Sequence, residues 1–173
     1  MADTVAVEFT DPAGDPLRVE WRADALLALD PATTPQAPVW SLGGQLDWDE
    51  VEALRVLSGR LADGRLIAIA ALRPAGAAGH GDELRSGIIG RPGELEQLDE
   101  PLLSTEYGPD ELPRRLGLEI RHDPDGLPLR VAGEATASTT AEEAGVRRVS
   151  TLLALRASGE AGTAVLDVLD RTS

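Results

Sequence analysis

Apolar and polar residues alternate most regularly over residues 114–137, RRLGLEIRHDPDGLPLRVAGEATA. Leu116, Leu118 and Ile120 take turns with Arg115, Glu119 and Arg121, and beyond Asp123-Pro124-Asp125-Gly126 the alternation resumes with Leu127, Leu129 and Val131 against Arg130 and Glu134. A period of two with one apolar face predicts a half-buried antiparallel hairpin. Pro124 sets one φ, and Asp-Gly supplies the positive φ of a tight reversal. A second hairpin is expected from 146–156 and 162–170, joined by Ala157-Ser158-Gly159-Glu160-Ala161. At the other end of the chain, TVAVEFT (4–10) and LRVEWRA (17–23) flank Asp11-Pro12-Ala13-Gly14-Asp15 and predict two more short strands.

Between these lie patterns of other periods. Residues 24–38 carry three prolines at positions 31, 35 and 38 and predict a surface connector. VWSLGGQL (39–46) predicts a strand with a glycine kink. Over 47–61, Val51, Leu54, Leu57 and Leu61 recur at helical spacing behind a capping-box pair, Asp47 and Glu50, and predict an amphipathic helix ended by Gly64. LIAIAAL (66–72) is apolar on both faces and predicts a central strand covered by that helix. Residues 73–83 predict a loop and 84–89 a short strand. The stretch 90–112 predicts a long connection with at most one helical turn or a brief strand, of the kind that serves as a lid or binding loop. The expected fold is mainly β (α+β), one domain over 1–173, with an antiparallel, strongly curled sheet or lipocalin-like β-barrel and one amphipathic helix.

Composition narrows the function. A chain of 173 residues can bury about 70% of its unfolded surface without staples. It has no cysteine, which excludes disulfides and thiolate metal sites. The N-terminal Met-Ala-Asp-Thr lacks the blocks of a signal peptide and no apolar run approaches ~20 residues, so a soluble cytoplasmic protein with no membrane partner is expected. All 16 basic residues are Arg, and Lys and Asn are absent, a bias suggesting a GC-rich genome. A net charge of −14 repels phosphate backbones and argues against nucleic-acid binding.

Few residues offer chemistry. His80 lies beside Asp82 and Glu83, and a histidine next to carboxylates suits acid–base work, although a solvated loop explains it as well. Together with Tyr107 these are the catalytic candidates, and Glu106 joins them at the mouth of a site if 73–83 and 90–112 emerge at the same end of the sheet. Trp21, Trp40 and Trp48 are candidates for lining an apolar cavity, against the plainer reading that they anchor the core. His122, beside the turn, is explained by turn chemistry. No metal site or cofactor is expected, since no Walker loop, dinucleotide fingerprint, nucleophile elbow or zinc-protease helix occurs.

SGIIGRPGE at Ser86, RRLGLEIRHDPDGLPLRVAGE at Arg114 and GVRRVSTLLALRASGEAGTAVLDVL at Gly145 resemble the C-terminal part of the lipocalin-like family of bacterial carotenoid hydratases of the hydroxyneurosporene synthase type. The resemblance covers the last half of the chain and implies a barrel-like sheet and an apolar polyene-like ligand handled without a cofactor. It maps no catalytic motif onto a numbered position. Three readings follow: a small β-barrel that binds an apolar small molecule, a cofactor-independent isomerase, cyclase or hydratase of polyene or polyketide-like substrates on the same scaffold, and a structural or homo-oligomerising module whose sheet edges pair.

Overall fold

The computed structural model describes residues 4–35, 37–78, 82–121 and 126–172. Two antiparallel sheets make up the fold. The smaller is β1 (Thr4–Thr10), β2 (Pro16–Arg22) and β3 (Trp40–Gly43), with a short helix, α1 (Ala23–Leu27), leaving β2. The larger has nine strands: β4 (Val51–Leu61), β5 (Leu66–Pro74), β6 (Leu84–Arg91), β7 (Glu94–Asp99), β8 (Leu102–Tyr107), β9 (Pro113–Ile120), β10 (Leu129–Glu143), β11 (Val146–Ala157) and β12 (Glu160–Arg171). Their order across the sheet is β7-β6-β5-β4-β12-β11-β10-β9-β8.

That order dictates curvature. β7 and β8 lie at opposite margins, yet only Glu100 and Pro101 separate Asp99 from Leu102. Three residue steps reach at most about 11 Å. The margins must therefore meet at this corner, and the sheet closes into a strongly curled half-barrel. Glu100 turns the corner at φ 46, a left-handed conformation uncommon outside glycine.

The inner face is packed solid. Leu57 and Leu61 of β4, Ile67 and Ile69 of β5, Ile89 of β6, Leu98 of β7, Leu103 of β8, Leu116, Leu118 and Ile120 of β9 and Leu153 and Leu155 of β11 form one buried cluster. The outer face of β4, β5 and β12 carries a second core, where Val5, Val7, Leu17, Val19 and Trp21 of the small sheet and Leu26 of α1 meet Leu54, Val56, Ala68, Ala70, Leu72 and Val165. Three polar contacts tie the layers together. The Trp21 indole donates to Ser58 Oγ at 2.9 Å, the Trp40 indole to Asp167 Oδ2 at 2.7 Å, and the Arg60 guanidinium to the Leu29 carbonyl at 2.7 and 3.0 Å. Directional bonds of this kind set the position of the small sheet on a surface that packing alone leaves slippery.

The hairpins behave as the alternation predicts. Leu116 pairs with Gly133 and Ile120 with Leu129, and β11 pairs with β12 from Val146–Arg171 to Ala157–Glu160. The reversal at 122–125 lies outside the described residues, as does His80. β10 runs further than expected, through the polar stretch to Glu143, and passes a bulge between Ala135 and Ala137.

The largest correction concerns 47–61. Residues 48–50 form a turn closed by Asp47, whose carbonyl accepts the amides of Glu50 and Val51, and 51–61 is a strand. Val51, Leu54, Val56, Leu57, Ser58 and Leu61 are all buried, so β4 is apolar on both faces, and a few leucines among them fell by chance at helical spacing. Gly59 marks the difference, because a Cβ there would stand 3.0 Å from the Ala164 Cβ and 3.3 Å from the Thr163 carbonyl on β12. Accordingly β5 is covered by the small sheet and α1, not by a helix over 47–61. The stretch 90–112 is no loop either, for it supplies the edge strands β7 and β8. Edge strands need only one inward residue in two, and acidic Glu94, Glu96 and Asp99 face water on β7. The connector 24–38 opens with α1.

Gly59→Ala tests the reassignment. In a helix interior the change would stabilise by about 1 kcal/mol. In β4 it should destabilise by about 1–3 kcal/mol through overpacking against β12. Urea midpoints of the two proteins check it, and a gain in stability would restore the helix.

Candidate functional site

Two places combine polar chemistry with space, in addition to surface clefts of about 420 Å³ at Trp40 and Arg148 and about 480 Å³ at Trp48 and Arg171. The first is inside the half-barrel, where Arg55 projects from the inner face of β4. Its Nη2 donates to Glu83 Oε2 at 2.7 Å and to the Leu103 carbonyl at 3.1 Å, and its Nη1 donates to Thr105 Oγ1 at 2.9 Å. Both charged side chains are buried, 9% exposed for Arg55 and 3% for Glu83. The guanidinium thus joins the middle of the sheet to the entry of β6 and to the backbone of margin strand β8. Ala53, Ala71, Arg73, Tyr107 and Val168 complete the walls of a cavity of about 90 Å³. Tyr107 is 46% exposed, and burial of the rest of the ring raises its pKa against the pull of the Arg55 charge and of a Thr105 hydrogen bond, so the phenol stays neutral at physiological pH.

This cavity gathers part of the expected cluster. Glu83 and Tyr107 line it together. Asp82 is exposed and accepts the Ala78 amide at 3.0 Å, while Glu106, next to Tyr107 on β8, is exposed and does not line it. His80 lies outside the described residues. The tryptophans sit at the other core: Trp21 is fully buried against Ser58, whereas Trp40, which holds Asp167, and Trp48 are half-buried at its edge and also line surface clefts of about 420 and 480 Å³. Arg55 is not a sequence candidate, because its partners Glu83 and Thr105 lie 28 and 50 residues away along the chain. Among the described residues no group of His, Cys, Asp and Glu is arranged to hold a metal.

Asp167, in the apolar run TAVLDVL, is a second buried ionisable group, 1% exposed. It accepts hydrogen bonds from the Ser150 hydroxyl and the Trp40 indole. Burial raises its pKa, partly offset by those two donors and by the charge of Arg148.

The second place is an open cleft of about 580 Å³ along β8, β9 and β10, reaching Arg85 on β6 across the seam and Arg156 on β11. Its floor follows from register: Ser104 pairs with Gly117, Gly117 with Ala132, and Ala132 with Arg156. Small residues in one row leave a trough. The neighbouring row, Leu102, Glu119 and Arg130, forms one wall. No helix of the described residues is long and apolar enough to cross a membrane.

No protein-family model matches this chain, and no curated protein is similar to it.

Two tests concern the buried charges. Arg55→Met strips Glu83 of its guanidinium and should cost about 3–5 kcal/mol, whereas Arg55→Met with Glu83→Leu should recover much of that loss. Additive losses in a double-mutant cycle would mean the pair is not coupled. For Asp167, the raised pKa means that the folded state keeps a proton over a pH range in which the unfolded chain has lost it. The stability it contributes is complete below the unfolded value of about 3.9 and is lost as pH rises through the folded value. Asp167→Asn should therefore gain stability relative to the parent as pH rises from about 4 to 7. Parallel stability–pH profiles would exclude a raised pKa.

Proposed function

We propose that the protein binds an apolar or amphipathic small molecule in the open cleft along β8–β10. The observation that carries this reading is a cleft of about 580 Å³ floored by small residues, inside the ~300–1,000 Å³ range of small-molecule sites and larger than the clefts of about 420 and 480 Å³ beside Trp40 and Trp48. Leu102 stands 47% exposed on its wall, an apolar side chain left in water by the fold. The resemblance to a family that handles polyenes favours the same class of ligand.

Catalysis on such a ligand has less support. The proton-transfer groups Glu83 and Tyr107 line the inner cavity, whose volume of about 90 Å³ holds a few water molecules at ~30 Å³ each, not a polyene. Arg55 is already committed to three partners there. Assembly through sheet edges has less support too, since Glu94, Glu96 and Asp99 place carboxylates along β7, and the Leu103 carbonyl on β8 is occupied by Arg55.

Dodecanol is a suitable neutral probe. Calorimetry should detect binding, hydrogen exchange should show protection over 102–104, 117–119 and 130–132, and Leu102→Asp should raise Kd at least about tenfold without unfolding the protein. Unchanged affinity in Leu102→Asp, or protection confined elsewhere, would move the site or remove it.

A further inference from the structure

We propose that the cleft selects an aliphatic carboxylate, with the headgroup held by arginine at the ends of the trough and the tail lying across the strands. The inference rests on the reading of the cleft as a binding site. Its lining carries three guanidiniums, Arg85, Arg130 and Arg156, against one carboxylate, Glu119. Glu119 is shared between Arg130 at 3.6 Å and Arg121 at 3.7 Å. The cleft is therefore positive on a chain with 30 acidic and 16 basic residues. An anion repelled by the rest of the surface is favoured here, and the field is strongest where side chains exclude water.

Arg85 supplies the more specific feature. It lines the cleft from β6 across the seam, opposite β8. A carboxylate is the planar acceptor that matches a guanidinium fork. Arg156 stands at the opposite end of the Ser104–Gly117–Ala132 row. From β8 to β11 this row spans three strand intervals, about 14 Å. Nothing along it projects further than a hydroxyl, which suits an unbranched tail. Gly117 keeps it open, since a Cβ there would come within 2.7 Å of Ser104 Oγ.

Calorimetry at low salt with dodecanoate and dodecanol tests the headgroup separately from the tail. The parent protein should bind dodecanoate at least about tenfold more tightly than dodecanol, and the preference should shrink as salt is raised. Arg85→Met with Arg156→Met keeps apolar stems but removes the charges, so it should bring the two affinities within about twofold while dodecanol binding persists. Gly117→Val should weaken both ligands. Equal affinities in the parent, or a preference that survives the double substitution, would overturn the carboxylate and leave the cleft; binding of neither ligand would overturn both.

Discussion

A two-residue link between opposite margins of the large sheet is the constraint on which the rest of this structure depends. Glu100 and Pro101 allow β7 and β8 no freedom to stay apart, so a sheet that would otherwise lie open must roll until its margins meet. Rolling brings the backbone of β8 over the inner face of β4, and there Arg55 takes its Leu103 carbonyl, its Thr105 hydroxyl and the Glu83 carboxylate. One guanidinium on β4 thereby satisfies two acceptors on β8 and one at the entry of β6. Burying an ion pair gains little net stability against a hydrophobic alternative. Its value here is geometric, since a fork of fixed donors accepts only one distance between the middle of the sheet and its margin.

The same closure explains why the interior is full. Leucine and isoleucine from β4 through β9 meet across a half-barrel too narrow to leave more than the small polar cavity around Arg55. A wide barrel keeps its ligand inside. This one has no such room, and the concavities large enough for a small molecule lie at the surface, the roomiest of them along β8–β10, at the end of the sheet that the three-stranded layer does not reach. Where that layer does reach, Trp21 and Trp40 give their indole donors to Ser58 and Asp167, and the Trp21 ring is wholly buried while the Trp40 ring also walls a surface cleft.

How much of this was legible in the sequence depended on whether a strand had one buried face or two. The hairpins β1–β2 and β9–β10 alternate because one side of much of their length meets water, and they read correctly, while β11–β12, buried on both faces through its middle, was marked by the Ser158-Gly159 turn between its strands. β4 is buried on both sides, so its periodicity carried no information, and Val51, Leu54, Leu57 and Leu61 imitated a helix. Gly59 and the paired valines Val51 and Val56 were the contrary signals, being poor helix residues that fit a crowded central strand. Glu83 and Tyr107 could be brought together from the sequence because both flank β6 to β8. Arg55 could not, since its partners lie 28 to 50 residues away and depend on the closure of the sheet.

Register, more than residue type, makes the cleft. Gly117, Ala132 and Ser104 are unremarkable along the chain, and only the pairing of β8, β9 and β10 lines them up into a trough. The pairing in turn is held by the inward residues Leu116, Leu118 and Ile120: a slip of one residue would replace them by Gly117 and Glu119 with Arg115 or Arg121 and drive charge into the core. Core and cleft are therefore two faces of one constraint. The alternation that buries leucine on the inside necessarily presents, on the outside, the small residues and arginines that stand one position away.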